Sequence, residues 1–228
     1  DLRMSRGLGD VYKRQIYIWS FFFGLIVASS VLVAKEIKHW HIGTVISLIA
    51  GGCIAYVITV MSPAETPNTW WFIILSGAIA ICAMILPGIS GAFILLLMGK
   101  YSYILGAVSS LNIGVMLLFI VGAVAGIISF SHLLSWLLKK HHTATVATLT
   151  GFMVGSLNKV WPWKETLETY TDSHGVVRPL VEANVSPHYF QELTQSDPLL
   201  VEAIVMCIVG FVLIYGIEFI GKKMQKQQ

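Results

Sequence analysis

Six stretches of this chain are apolar for sixteen to twenty-nine residues at a time: Ile16–Ala34, Ile42–Met61, Trp70–Met98, Ile113–Leu138, Thr143–Asn158 and Leu199–Gly221. A helix that covers ~30 Å of hydrocarbon at ~1.5 Å per residue needs about 20 such residues. In lipid the backbone must satisfy its own hydrogen bonds, which leaves helices and closed barrels. Continuous apolar runs, rather than alternating ten-residue ones, select helices. Composition agrees: 56% of the 228 residues are hydrophobic and 12% are charged, against about 25% charged in a soluble domain. So few charges exclude an ordinary soluble enzyme and a disordered chain. A net +3 without a clustered basic face excludes a nucleic-acid binder. The expected fold class is an all-α polytopic membrane protein.

Cys53, Cys82 and Cys207 lie inside apolar stretches and read as small packing residues, with no disulfide or zinc spacing. Asp1–Gln15 is polar, carries Arg3, Arg6, Lys13 and Arg14, and stops abruptly at Ile16. It reads as a non-native leader, with a native basic anchor as the alternative, and the membrane domain is taken as 16–228.

Trp70–Met98 is twenty-nine residues long and is interrupted by Pro87-Gly88-Ile89-Ser90-Gly91. One straight helix of that length would exceed the bilayer core. Two half-helices meeting at the break fit better, as a re-entrant hairpin over 70–100 or as one span with an unwound centre. Lysine and arginine placement separates the two. With a re-entrant hairpin, and the leader set aside, seven basic residues fall inside (Lys35, Lys38, Lys139, Lys140, Lys222, Lys223, Lys226) and four outside (Lys100, Lys159, Lys164, Arg178). A single crossing gives six against five. The hairpin is therefore expected, with about five spanning helices, a polar outer loop over 159–198 and a cytoplasmic C-terminus.

Gly24–Ser30 (GLIVASS) resembles Gly151–Leu157 (GFMVGSL), and under this topology the two run in opposite directions. That is the pattern of an inverted-repeat transporter, whose sites lie at discontinuous helices near the midplane. A counterpart of the Pro87 break would fall upstream of residue 1, so the first repeat is expected to be incomplete and the chain truncated.

Pro87 ends one half-helix, while Gly88 and Gly91 permit backbone angles other residues avoid. A half-helix starting near Ser90 points its free N–H groups and positive dipole end into the bilayer, which suits a phosphate. A plain proline kink with glycines for close packing accounts for the same residues, and both readings stay open. Lys100 could pair with an anionic head group or snorkel at the interface, beside Tyr101 in an aromatic belt. Gly122-xxx-Gly126 and Gly151-xxx-Gly155 read first as helix-packing faces. Trp161-Pro162-Trp163-Lys164 with Lys159 is either an aromatic belt with a basic pair or a vestibule for a lipid phosphate. The outer loop carries net negative charge, so attraction must be local to Lys159 and Lys164. His132 is an intramembrane ionisable group open to proton coupling, or it faces head groups near a span end. No hydrolase elbow, zinc-protease motif or metal-ligand set is present, so neither catalysis nor a cofactor is implied.

Leu86–Tyr101 (LPGISGAFILLLMGKY) resembles the signature of the bacterial polyprenyl-phosphate transporter family of the PopT type. Gly151–Lys164 (GFMVGSLNKVWPWK) and the loop from Glu165-Thr166-Leu167 through Asp172-Ser173-His174-Gly175 resemble its second signature, and the likeness extends over Phe21 to Gly221. The resemblance implies return of undecaprenyl phosphate from the outer to the inner leaflet of the cytoplasmic membrane, recycling a lipid carrier for cell-wall polymers. The family's earlier proline-glycine-serine-glycine-glycine motif is lacking here. The expected binding residues are Pro87, Gly88, Ser90, Gly91, Lys100, Tyr101, Gly155, Ser156, Lys159 and Lys164. The expected partners are the polyprenyl-phosphate lipid and membrane lipids, with homo-oligomerisation left open. A small-solute or ion pathway through the same broken helix is the competing expectation, and a lipid-phosphate enzyme a weaker one.

Overall fold

The structure is a computed structural model and describes residues 2–171 and 177–225. Its helices are α1 (Leu2–Ala34), α2 (Ile42–Val60), α3 (Trp70–Ile85), α4 (Gly91–Leu97), α5 (Tyr101–Ser109), α6 (Ile113–Lys140), α7 (His142–Ser156), α8 (Pro187–Thr194) and α9 (Leu200–Gln225); strands β1 (Lys164–Thr171) and β2 (Val177–Asn184) follow α7. Among the described residues four helices are long and apolar enough to cross a membrane: Lys13–Ala34, Ile42–Val60, Ile113–Lys140 and Leu200–Met224, or five spans if the bent pair α4–α5 counts as one. Their outward faces are apolar, with Ile42, Val201 and Phe219 exposed. The chain is a multi-pass membrane protein. There is no helix break at Ile16, and α1 continues back to Leu2.

The helices associate in pairs through glycines, because lipid tails supply no hydrophobic drive and close backbone approach must hold helices together. A methyl group added at Gly122 would stand 1.9 Å from the Ile74 carbonyl oxygen, and one at Gly126 would stand 2.7 Å from Ala78. α3 and α6 therefore run in the same direction. So do α2 and α7, where methyl groups added at Gly151 and Gly155 would stand 2.1 Å from the Leu48 and 2.3 Å from the Gly52 carbonyl oxygen. So do α1 and α9, where Ile16 packs with Ala203 towards one end and Lys35 reaches Tyr215 towards the other; methyl groups added at Gly24 and Gly210 would stand 1.9 Å from the Cys207 and 2.3 Å from the Phe21 carbonyl oxygen. The packing reading of both small-residue motifs holds.

These contacts repeat. Gly24 on Cys207 matches Gly151 on Leu48, and Gly210 on Phe21 matches Gly51 on Thr148. The offset that carries Gly24 to Gly151 also carries Phe21 to Thr148. The offset that carries Leu48 to Cys207 also carries Gly51 to Gly210.

One end of the bundle gathers the basic residues. Ile37, Val146 and Ala147 pack together there with Val33 and Leu138 against them, beside Lys35, Lys139 and Lys140, and Lys35 reaches Tyr215 of α9. The opposite end carries the loop after α7. α3 starts from that opposite end, and α6, parallel to it, starts there too. The chain between them must turn back, and it does so at the break. Gly91 packs on the Ala80 carbonyl, and the far end of α4 meets the loop before α3, where Ala64 N–H donates to the Leu97 carbonyl at 2.8 Å.

Two elements depart from the sequence reading. The polar outer loop holds two strands, β1 and β2, that pair antiparallel, so the chain is mainly, not wholly, helical. Trp161 and Trp163 tether this hairpin, donating to the Val185 and Pro198 carbonyls, each at 2.9 Å; Trp163 packs with Ile16, Phe190 and Ala203. The expected span Thr143–Asn158 becomes α7, a helix of fifteen residues that is too short to cover ~30 Å. It is the central helix, with Thr145, Thr150 and Ser156 buried. Flanked by α1, α2 and α6, it can carry hydroxyls that return bonds to its own backbone.

Candidate functional site

The break runs from Leu86 to Ser90. Leu86 precedes proline and leaves the helical region, at φ −73° and ψ 129°, as the proline ring demands. Gly88 has φ +90°, and a side chain there would collide with Ser156 Oγ at 2.3 Å. Glycine is thus required twice over, by dihedral and by approach to α7. Ser90 caps α4 without a side-chain capping bond and is exposed. Gly91 is buried against α3. Ser156 is buried and donates to the Met153 carbonyl at 2.7 Å. The break therefore rests on the last turn of α7, three residues before Lys159.

A cavity of about 440 Å³ opens beside this contact, at the end of the bundle opposite the basic cluster. Its wall is built from the last turn of α2 (Tyr56, Thr59, Val60), Phe93 and Leu97 of α4, Asn158 and Lys159 after α7, and Lys164 and Glu182 of the strands. Asn158 donates to Thr59 Oγ1 at 2.9 Å, and Asn184 donates to Asn158 Oδ1 at 2.8 Å. Together they tie α2, α7 and β2 at the rim.

Two ammonium groups face the cavity. Lys159 Nζ lies 3.3 Å from Glu182 Oε2 and 4.5 Å from the centre of the Phe93 ring. Lys164 Nζ lies 3.3 Å from the same carboxylate oxygen, donates to the Lys159 carbonyl at 2.7 Å, and sits 4.4 Å above the Trp19 ring. The Lys164 side chain is 3% exposed and that of Lys159 31%. Burial pushes the Lys164 ammonium below its ordinary lysine range; Glu182 opposes this and Lys159 adds to it. With two cations and one carboxylate, the charged side chains at the cavity sum to +1. A second, apolar hollow of about 390 Å³ runs along α2 and α7, lined by Gly52, Cys53, Gly151, Val154 and Gly155. Tyr56 belongs to both.

Among the expected site residues, Lys159 and Lys164 come together here, and Gly88, Ser90, Gly91 and Ser156 gather at the neighbouring break. Gly155 serves the α2–α7 contact and the apolar hollow. Lys100 stands apart from the cavity. It is 1% exposed, donates to the Thr66 carbonyl at 2.7 Å and to Asn68 Oδ1, and lies over the Phe72 and Tyr103 rings. It locks the returning hairpin to the α2–α3 loop, with Tyr101 beside it opening α5. His132 is exposed on α6, and its Nδ1 lies 3.0 Å from the Ile128 carbonyl in its own helix. Among the described residues no group of histidine, cysteine or carboxylate side chains could hold a metal. Asp172–Gly175 lie outside the described residues. Sequence reasoning missed Glu182; its signal is an acid set between Val181 and Ala183 in an alternating strand.

The comparisons with known proteins agree on one family. Residues 7–178 match the VCA0040-like family, described as undecaprenyl phosphate translocase-like. A polyprenyl-phosphate transporter of Vibrio cholerae is 46% identical over 208 residues, covering 91% of this chain and 68% of that protein. A polyprenyl-phosphate transporter of Staphylococcus aureus is 32% identical over 161 residues, covering 62% of this chain and 57% of that protein. No solved structure matches the chain. With three quarters of its length inside the family match, the chain belongs to the undecaprenyl phosphate translocase-like family.

Proposed function

We infer that this chain translocates a polyprenyl phosphate, undecaprenyl phosphate in the first instance, from the outer to the inner leaflet of the bacterial cytoplasmic membrane. The observation that carries the reading is the lysine pair. Two ammonium groups share one carboxylate at the mouth of a cavity whose wall includes the returning half of a broken helix. A phosphate monoester is dianionic to monoanionic near neutrality and offers three acceptor oxygens, which suits two donors a few ångströms apart. The isoprenoid chain lies along the apolar hollow below, with Tyr56 where head group and tail meet.

The basic end faces the cytoplasm on the positive-inside rule, which puts the cavity on the outer side and the C-terminus inside. The parallel run of α3 and α6 supports the re-entrant hairpin, since a single crossing would make them antiparallel. The matched glycine contacts of α1–α9 and α2–α7, in pairs that run opposite ways, support an inverted repeat relating α1 to α7 and α2 to α9. In this reading the break carries the motion. Gly88 abuts Ser156 and Phe93 abuts Lys159, so a shift of α4 alters both the cavity wall and the lysine that holds the phosphate. The relatives are named as transporters, and the reading involves no catalytic step.

The test uses purified protein in nanodiscs with undecaprenyl phosphate or undecaprenol. Tighter binding of the phosphate, lost in the Lys159→Gln, Lys164→Gln double variant, is expected. Equal binding of the two lipids refutes the reading, and ion flux through liposomes without lipid binding favours the solute-pathway alternative.

A further inference from the structure

Capture of an anion by two lysines does not require a carboxylate between them, yet Glu182 occupies that position. Its Oε2 takes a bond from each ammonium group at 3.3 Å, and its side chain is 13% exposed. The other partners of Lys164, the Lys159 carbonyl and the Trp19 ring, are neutral and are not displaced by an anion. Resting on the reading of the lysine pair as the phosphate site, we propose that Glu182 is an internal competitor for the lipid phosphate. It occupies the lysines in the empty cavity, turns out when the phosphate arrives, and returns to help expel it.

The charges favour exchange over co-occupancy. With Glu182 in place the three side chains sum to +1, and a phosphate near −2 would leave two anions side by side in a partly desolvated space, where like charges repel strongly. With Glu182 turned away, two lysines face one phosphate and the charge is balanced. The carboxylate is placed for such a movement. It lies on β2 opposite Thr166, where the register shifts between Thr166 and Glu168, so a strand edge yields while the membrane helices stay packed. The exchange also confers selectivity, because an uncharged polyprenol offers the lysines nothing in return for the carboxylate. It aids release as well, since a carrier that holds phosphate on two buried lysines needs a replacement anion when it lets go.

Undecaprenyl phosphate binding by the wild type and by Glu182→Gln, in nanodiscs, tests the proposal. The variant should bind about tenfold more tightly, equivalent to ~1.4 kcal/mol. Equal or weaker binding by a folded variant overturns the proposal. A second measurement needs no substitution: carbodiimide labelling of Glu182, read by mass spectrometry, should rise several-fold with saturating undecaprenyl phosphate and stay constant with undecaprenol. Unchanged or reduced labelling under lipid phosphate overturns the exchange even if Glu182→Gln does not fold. If the wild type does not prefer undecaprenyl phosphate to undecaprenol, the phosphate-site reading falls and this inference with it. A preference for the phosphate without the Glu182 effects removes the inference alone.

Discussion

Alanine at the helix glycines should split them into two groups that look alike in sequence. Gly24, Gly122 and Gly151 sit in helices with a backbone carbonyl oxygen 1.9, 1.9 and 2.1 Å from where a methyl group would go. The oxygen belongs to a helix backbone, not to a flexible side chain, so the helices must part by more than an ångström. Overpacking of this kind costs ~1–3 kcal/mol, and the near-immovable neighbour puts these sites at the upper end. Alanine's helix preference returns up to ~1 kcal/mol, which leaves a net loss of about 1–2 kcal/mol at each. Gly106 of α5 has nothing within 4 Å, and its alanine variant should be neutral or more stable by up to ~1 kcal/mol. The fraction folded as a function of SDS mole fraction in mixed micelles measures all four. Gly24→Ala and Gly151→Ala should lose similar amounts, because their contacts match under the proposed repeat. If Gly122→Ala proves as harmless as Gly106→Ala, the close pairing of α3 with α6 is wrong. If Gly24 and Gly151 differ by several kcal/mol, the equivalence of the two pairs fails.

Lys100→Met should destabilise the fold by about 2–4 kcal/mol, since it leaves the Thr66 carbonyl and Asn68 without a charged donor, while undecaprenyl phosphate affinity per folded molecule stays at the wild-type value. Weakened binding at unchanged stability would instead return Lys100 to the binding site. The lowered Lys164 pKa gives a second expectation: phosphate needs the charged form, so affinity should fall as pH rises, beginning below the ordinary lysine range. The folded state, which disfavours that proton, should gain stability over the same rise. Titrating both quantities in the wild type and in Lys164→Met checks the sign, and an affinity flat through the alkaline range would contradict it.

Some of this architecture was open to reading from residues. Twenty-nine apolar residues broken at Pro87 do not fit one span, and few enough lysines are present that the side of each one matters. What the residues could not show is how unequal the halves are. α3 has sixteen residues and α4 seven, because the loop before α3 comes to meet α4 through Ala64 and Leu97. That is a tertiary pairing with no local signal. The fate of Lys100 follows from it: a lysine after an apolar run reads as an interface cation, and only the approach of Thr66 and Asn68 turns it into an internal lock. The outer loop was obscured by its polarity. Charge counting registered its excess of acids but not the strand register that sets one of them, Glu182, between Lys159 and Lys164.

The position of that cluster bears on how a broken helix could move a charged lipid at all. A phosphate crossing hydrocarbon alone faces a prohibitive desolvation cost, so its counter-charges must change partners without exposing it to lipid tails. Lys159 leaves α7 just after the turn that supports Gly88, and its ammonium lies on Phe93, one turn into α4. At the proposed site, phosphate binding acts on a lysine that follows the turn supporting the break and touches the returning half-helix. The α2–α7 and α3–α6 seams, closed by backbone-to-glycine contacts, hold their shape. The seven-residue α4 is held by Gly91 on α3, by the Lys100 lock and by bonds from the α2–α3 loop at Ala64 and Thr66. A ligand can shift a conformational equilibrium only through differential contacts. In the proposed exchange the contact that differs between empty and occupied states is the Lys159 ammonium, shared between Glu182 on β2 and Phe93 on the hairpin.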